Sequence, residues 1–366
     1  MKKLMHKIGL GIVLFLCTTA LTAKGKSVEK TKEIIESYTV TSTQKIEVDT
    51  KFGELKINTW DKNEVAVHVT IKVKDGNEKR AQEILDRIEI DITQTSNKLL
   101  IATNISGNDD EIKIKTCKGG YLEINYELTV PMRNQLSVTN SFGAFILDKM
   151  MANIKVDMKF GAATIGELNG DQNDLSFEFC DPVVINRFYK GKVKLKFAKL
   201  ELLRSEDLTL TSEMSGSKIE KITKGNFYLK FGSLDLNEVK ELKLESQMST
   251  VNIESLHGSG FIKNKYGTLS IANVLPSATS LTVNGEFSPI KINLNNRGSY
   301  EVVAEAKMSG LKLPSGSVMN EQEVNEDSPA IQTTNNFNGR IGRDAEKQTK
   351  LRITSSFGDV KLLLTD

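Results

Sequence analysis

Histidine, cysteine and proline are scarce in this 366-residue chain, at three, three and six copies. Once a leader is set aside only His68 and His257 remain, so a metal site built from clustered imidazoles has no raw material. No GxSxG, HExxH, Walker loop, paired CxxC or EF-hand spacing occurs, which leaves nucleophilic, zinc and nucleotide chemistry without an anchor. An excess of one charge is missing too. With 49 basic and 47 acidic residues the formal charge is +2, which gives no bulk attraction to nucleic acid or to a membrane. Beyond the first two dozen residues no apolar run reaches about 18, so no transmembrane span is expected in the mature chain.

The leader is present and readable. Lys2, Lys3 and Lys7 precede an apolar run from Ile8 to Leu16, and Leu21-Thr22-Ala23 ends in small residues, the order of a secretory signal peptide over residues 1–23. Cys17 follows Leu16 rather than a small residue, which argues against lipoprotein anchoring. The protein is therefore expected in the periplasm, the outer membrane or the cell surface. Export permits Cys117 and Cys180 to oxidise, and the sequence leaves open whether they pair or stay free.

The dominant feature is a repeat. An aromatic or Met followed by a small residue recurs at Phe142-Gly143, Phe160-Gly161, Phe179-Cys180, Phe197-Ala198, Met214-Ser215, Phe231-Gly232, Met248-Ser249, Tyr266-Gly267, Phe287-Ser288, Met308-Ser309 and Phe357-Gly358. The first seven steps are 17 to 19 residues, then come two of 21 and one of 49. A period of about 18 marks a solenoid. Apolar residues stand four before each anchor (Val193, Leu210, Phe227) and five after it (Leu202, Ile219, Leu236), a strand period on both sides of a corner. A further apolar residue eight after the anchor (Ile222, Val239, Leu256) favours a closed coil over separate hairpins. The corner glycines Gly143, Gly161, Gly232 and Gly358 are expected to supply a conformation other residues resist, and Phe231 to sit in the stacked core, where an introduced Asp would cost several kcal/mol.

In-register parallel stacking makes equivalent residues into columns. Just before the anchor the column reads Lys159, Glu178, Lys196, Glu213, Lys230, Gln247, Lys265, Glu286, Lys307, and four after it Glu201, Lys218, Asp235. Alternating charge is what directly opposed strands select.

Residues 24–131 depart from the period, although Phe52-Gly53 already fits it. A strand is expected over 64–73, a helix over 77–88 with Asn77 as N-cap, and strands over 89–93, 98–104 and 121–130. The fold class is thus all-β: a single-stranded β-helix-like solenoid over 132–313, an N-terminal α+β cap over 24–131, an excursion loop over 314–350, and a final coil over 351–366.

The stretches TKFGELKINTW (50–60), NEKRAQEILDRI (77–88) and YELTVPMRNQLSVTNSFGAFIL (126–147), with the FG corners that follow, resemble the bacterial putative-adhesin family of unknown function, related to auto-transporter adhesin head (GIN-type) domains. That resemblance implies a right-handed solenoid outside the cytoplasm and carries no functional residues.

Three functions remain to be separated. The leading one is a non-catalytic envelope or surface module that binds a glycan, a protein or an envelope polymer. A structural or signalling accessory of the periplasm without its own ligand is the second. The third is a glycan-cleaving β-helix enzyme, for which Glu178 with Asp181, or Asp109, Asp110 and Glu111, are the available carboxylates. Glu178 also fits the alternating column, the 109–111 run reads as a hairpin turn, and His68 reads as a solvent-facing strand residue. No catalytic residue, metal ligand or cofactor is called. The ligand-binding candidate is a basic patch of Arg187, Lys190, Lys192, Lys194, Lys196 and Lys199, with Arg204 near it and Phe188, Tyr189 and Phe197 interleaved. Its plainer reading is the soluble half of a strand whose inward half is Val193, Leu195 and Phe197.

Overall fold

The computed structural model describes residues 27–107, 120–320, 334–346 and 348–365, and these are almost wholly β. The leader with Cys17, the carboxylates at 109–111 and Cys117 lie outside the described residues. The chain divides into two units, Met1–Cys180 and Asp181–Asp366.

The first unit holds β1 (Val28–Thr39), β2 (Lys45–Lys51), β3 (Leu55–Trp60), β4 (Glu64–Asp75), α1 (Glu78–Asp86), β5 (Ile88–Gln94), β6 (Lys98–Ile105), β7 (Tyr121–Pro131), β8 (Leu136–Met150), β9 (Ile154–Leu168) and the start of β10 (Asn173–Lys196). Strict alternation buries Val65, Val67, Val69, Ile71 and Val73 on one face of β4, which runs antiparallel to β1 and to β7. β2 and β3 meet at Phe52-Gly53 and form a coil; β8 bends at Phe142-Gly143 and lays one arm along β2 and the other along β3, all parallel. β9 then stacks on β8 in register from Leu136↔Ile154 to Met150↔Leu168. In α1 the spacing of Ala81, Ile84 and Leu85 gives one buried stripe, packed against β1, β4 and β5. Asn77 is its N-cap, its side chain accepting from the Arg80 N–H at 3.2 Å. The strand β1 carries no expectation from sequence, because adjacent Ile34 and Ile35 break the alternation. It pairs along its whole length with β4 and sets Ile35 beside His68, whose Nε2 is shut from solvent without a hydrogen-bond partner. His68 itself stays half-buried on the face opposite Val67 and Val69, as the alternation predicts.

The second unit continues β10 and adds β11 (Lys199–Glu213), β12 (Gly216–Lys230), β13 (Ser233–Gln247), β14 (Thr250–Lys265), β15 (Thr268–Val274), β16 (Ser280–Glu286), β17 (Ile290–Asn295), β18 (Ser299–Lys307), β19 (Leu311–Lys312), β20 (Val318–Met319), β21 (Thr334–Gly342), β22 (Thr349–Ser356) and β23 (Val360–Thr365). β10 to β14 stack in parallel, each coil bonded to the next. Leu210, Phe227, Leu244 and Ile262 form one fully buried column, and Ile222, Val239 and Leu256 another at the bend between arms.

Chain order and spatial order part at the C-terminal end. β22 pairs with β16 on one side and β18 on the other, and β23 lies between β17 and β19. The last coil in sequence is thus inserted one place before the last in space. The 314–350 segment, expected as a loop, contains β21, which runs antiparallel along β18 and covers its free edge. That placement answers the problem of an unpaired edge strand.

The corners are built differently from the expectation. Every non-Gly residue of positive φ among the described residues is a repeat anchor, from Phe52 at 61° to Met214 at 47°. The left-handed turn therefore falls on the aromatic or Met, and the glycine after it serves close approach. A Cβ on Gly143 would lie 1.7 Å from the Gly53 carbonyl oxygen, and one on Gly232 2.1 Å from that of Ser215. Where the small residue is Ser, its hydroxyl bonds to the neighbouring coil. Ser215 Oγ accepts from the Ala198 N–H at 2.9 Å, Ser249 Oγ from Gly232 at 3.2 Å and Ser309 Oγ from Gly358 at 2.9 Å. In spatial order the small residues read Ala198, Ser215, Gly232, Ser249, Gly267, Ser288, Gly358, Ser309.

The turned anchors point outward. Phe142 is 41 %, Phe160 44 % and Phe231 40 % exposed, so Phe231 lies outside the core and the expected penalty for Phe231→Asp is corrected downward. In the first unit Phe52, Phe142, Phe160 and Phe179 stack ring on ring, with centroids 5.5, 4.9 and 5.0 Å apart. Near the C-terminus Tyr266, Phe287 and Phe357 do the same, Phe357 taking the place that chain order gives to Met308.

Candidate functional site

In the second unit the outward face of the arm preceding each corner carries charged, hydroxyl and aromatic side chains. Alternation along β10 to β14 buries one residue and exposes the next, so the exposed ones form straight rows across the coils. One row runs Lys194, Thr211, Tyr228, Glu245, Lys263, and the row beside it Lys196, Glu213, Lys230, Gln247, Lys265. Between them lies a shallow depression of about 630 Å³ lined by Thr211, Glu213, Tyr228, Lys230, Glu245, Gln247, Lys263 and Lys265 among others. Tyr228, 38 % exposed, is its aromatic surface. Lys230 stands over the Phe231 ring at 5.5 Å on the corner side, and Lys263 reaches Glu245 at 3.4 Å. Lys265 bonds Glu286 at 2.6 Å, and that carboxylate holds its ammonium above the usual lysine range.

The predicted basic patch lies at one end of these rows. Arg187, Lys190, Lys192, Lys194, Lys196 and Lys199 are all exposed, Phe188 is buried, and Tyr189 and Phe197 are exposed. Val193 and Leu195 face inward as expected, whereas Phe197 is turned out by its left-handed backbone. The next coil sets Thr209 opposite Lys192, Thr211 opposite Lys194 and Glu213 opposite Lys196. Lys190 lies 3.8 Å from Asp207 and Lys199 3.7 Å from Glu201. Arg187 faces Arg204, which faces Lys221, and next in the row is Glu238, bonded by Lys221 at 2.6 Å. That hydrogen bond outweighs burial, which acts the other way, and with the surrounding positive charge holds Glu238 below the usual carboxylate range. The rows spread the positive charge among hydroxyls and acids, and the residues that sequence reasoning missed are the neutral and acidic ones between them. Tyr228 and Glu245 were legible only as the coil-by-coil equivalents of Lys194.

Glu178, one of the carboxylates weighed for glycan cleavage, is held by Lys159 at 3.2 Å. Among the described residues no three His, Cys, Asp or Glu side chains gather closely enough to share a metal ion, and no helix is long and apolar enough to cross a membrane. Cys180 is a free, buried thiol whose Sγ lies 3.4 Å from the Glu178 carbonyl oxygen and 3.6 Å from that of Met158. Burial pushes its pKa up to about 11.

No protein-family model matches the chain, and no curated protein does. Several solved structures are similar. A putative adhesin from Parabacteroides merdae is 11 % identical, with a TM-score of 0.34 over 94 % of this chain and 98 % of its own. Another from Parabacteroides distasonis is 11 % identical, with a TM-score of 0.33 over 74 % and 94 %. A putative cell adhesion protein from Clostridium sporogenes is 11 % identical, with a TM-score of 0.19 over 93 % and 100 %. Scores this low describe a likeness and carry no functional argument.

Proposed function

We propose that this chain is a non-catalytic, exported module of the cell envelope or surface, adhesin-like in role, which binds a glycan, a protein or an envelope polymer on its flat β faces. In this reading the coils wind right-handed and the region around α1 caps them. The observation that carries the function is the depression around Tyr228, where an exposed ring is flanked in register by hydroxyl, amide, ammonium and carboxylate groups. A tyrosine offers an apolar face with a polar tip, and the side chains around it offer donors and acceptors at strand spacing. A hydroxyl-rich polymer lying across the coils meets both. The anchor rows beside the face, half exposed, add apolar contact.

The test is binding of the full mature chain to a glycan and matrix-protein array, alongside protease digestion of intact cells. Binding that weakens about tenfold in Tyr228→Ala supports the reading, since removal of an aromatic anchor costs upwards of about 1 kcal/mol. A chain that binds nothing on the array and resists digestion until the outer membrane is opened points instead to a periplasmic accessory.

A further inference from the structure

We infer that Lys291, Lys361 and Lys312 form a binding row for an acidic polysaccharide, a deepening of the binding-module reading on which it rests. The row follows from the strand insertion. β23 enters between β17 and β19, which sets Lys361 directly opposite Lys291 on one side and Lys312 on the other. All three are exposed and share one outward face, at about 4.8 Å per strand.

Three like charges in register run against the rule kept elsewhere in the same row. Farther along, Lys218 sits between Glu201 and Asp235, and Asn252 donates to Asp235 at 2.8 Å. Directly opposed like charges destabilise a sheet, so the lysine run is a stability cost that the fold itself does not require. The basic row at Arg187, Arg204 and Lys221 differs, because Glu238 closes it with an ion pair. Beside the three lysines the acid in the flanking row is Asp359, whose carboxylate already accepts the Gly310 N–H at 2.7 Å.

The row's other end names the ligand class. Lys291 is followed in register by Ser270 and then Asn252, so a cationic end passes into a neutral hydrogen-bonding end. A linear chain of sugars carrying repeated carboxylates meets both parts: ammonium groups take the carboxylates, and hydroxyl and amide groups take the sugar hydroxyls. The site is straight and flat, which suits an extended polymer rather than a single compact anion.

The experiment measures binding of the full mature chain to oligogalacturonate, with a neutral oligogalactose of equal length and anionic phosphatidylglycerol vesicles as comparisons. Oligogalacturonate is expected to bind in a salt-dependent way. Lys361→Gln should weaken it about tenfold and the triple Gln variant should abolish it, in line with charge-assisted hydrogen bonds. The triple variant should melt no lower than the wild type, because it relieves repulsion, which separates lost binding from lost folding. Equal binding by the triple variant overturns the inference while leaving the module reading intact, as does binding of neutral glycans alone or of the vesicles alone. Binding to none of the three probes overturns the inference, and the module reading falls with it only if the glycan and matrix-protein array stays empty as well.

Discussion

Phe227 and Phe231 stand four residues apart and do opposite work. Phe227 is fully buried in a column of Leu210 and Leu244, whereas Phe231 turns outward on a φ of 55°. Phe227→Ala is expected to cost about 3–5 kcal/mol. Phe231→Asn should cost under about 1.5 kcal/mol, because a half-exposed ring contributes little packing and Asn tolerates the left-handed turn. Urea titration of both variants checks this, and equal destabilisation would show that the corner rings belong to the core after all. The small residue beside the anchor is tighter. Gly232→Ala puts a Cβ against the Ser215 carbonyl and should cost about 1–3 kcal/mol. Ser249→Ala removes a hydroxyl that accepts from Gly232 and donates to the Gln247 carbonyl at 2.8 Å, and should cost about 1 kcal/mol. Cys180 gives a chemical check at the same scale. With its thiol buried and its pKa raised, it stays protonated at neutral pH. Labelling with a thiol reagent, mapped by peptide mass, should find it unreactive in the native chain and reactive in urea; rapid native labelling would contradict the burial.

At the scale of elements, much of the architecture was legible and one join was not. The two-residue alternation of Val65 to Val73, the helical spacing of Ala81, Ile84 and Leu85, and the anchor period all follow from local side-chain geometry, and the structure keeps them. Within the second unit the charge column holds from Lys196 to Glu286, but the next neighbour of Glu286 is Ser356, not Lys307. Insertion of β22 and β23 is a long-range choice with little local signature. The step from Phe287 to Met308 matches the step before it in length, so chain order looked like spatial order. One cue was present: only with Gly358 between Ser288 and Ser309 does the Gly–Ser alternation continue. The lysine row at Lys291, Lys361 and Lys312 was hidden for the same reason, since its members come from strands that are not consecutive. The insertion predicts a specific weakness. In a chain truncated after residue 348, the amides of Phe287 and Ile290 lose their acceptors, the Ser356 and Asp359 carbonyls. Hydrogen exchange at both should speed by orders of magnitude while Ser233, bonded to the Ser215 carbonyl, stays protected. Unchanged protection at Phe287 and Ile290 would mean that β22 and β23 do not hold that place.

At the largest scale, the repeating unit of the second unit's stack is two coils rather than one. Corner residues alternate between a small Ala or Gly and a Ser, and charges alternate in the row just before the corner from Lys196 to Glu286 and in the row Glu201, Lys218, Asp235, so in these rows each coil is complementary to its neighbours and only every second coil is equivalent. In a stack where each repeat meets only its neighbours, stability is a sum of coil and interface terms, and whole coils can be removed where the new interface still fits. Deleting residues 215–248 joins Met214 to Ser249, renews the bond from the Ala198 N–H to a Ser hydroxyl, and sets Glu201 opposite Asn252. Deleting residues 215–231 joins Met214 to Gly232, leaves the Ala198 N–H without a hydroxyl, and sets Glu201 opposite Asp235 and Asp207 opposite Glu241. The longer deletion should therefore give the higher Tm, although it removes twice as much of the stack. Calorimetry of the two variants decides the point: a shorter deletion that melts higher would mean that coil number, and not the alternation between coils, governs the stability of the stack.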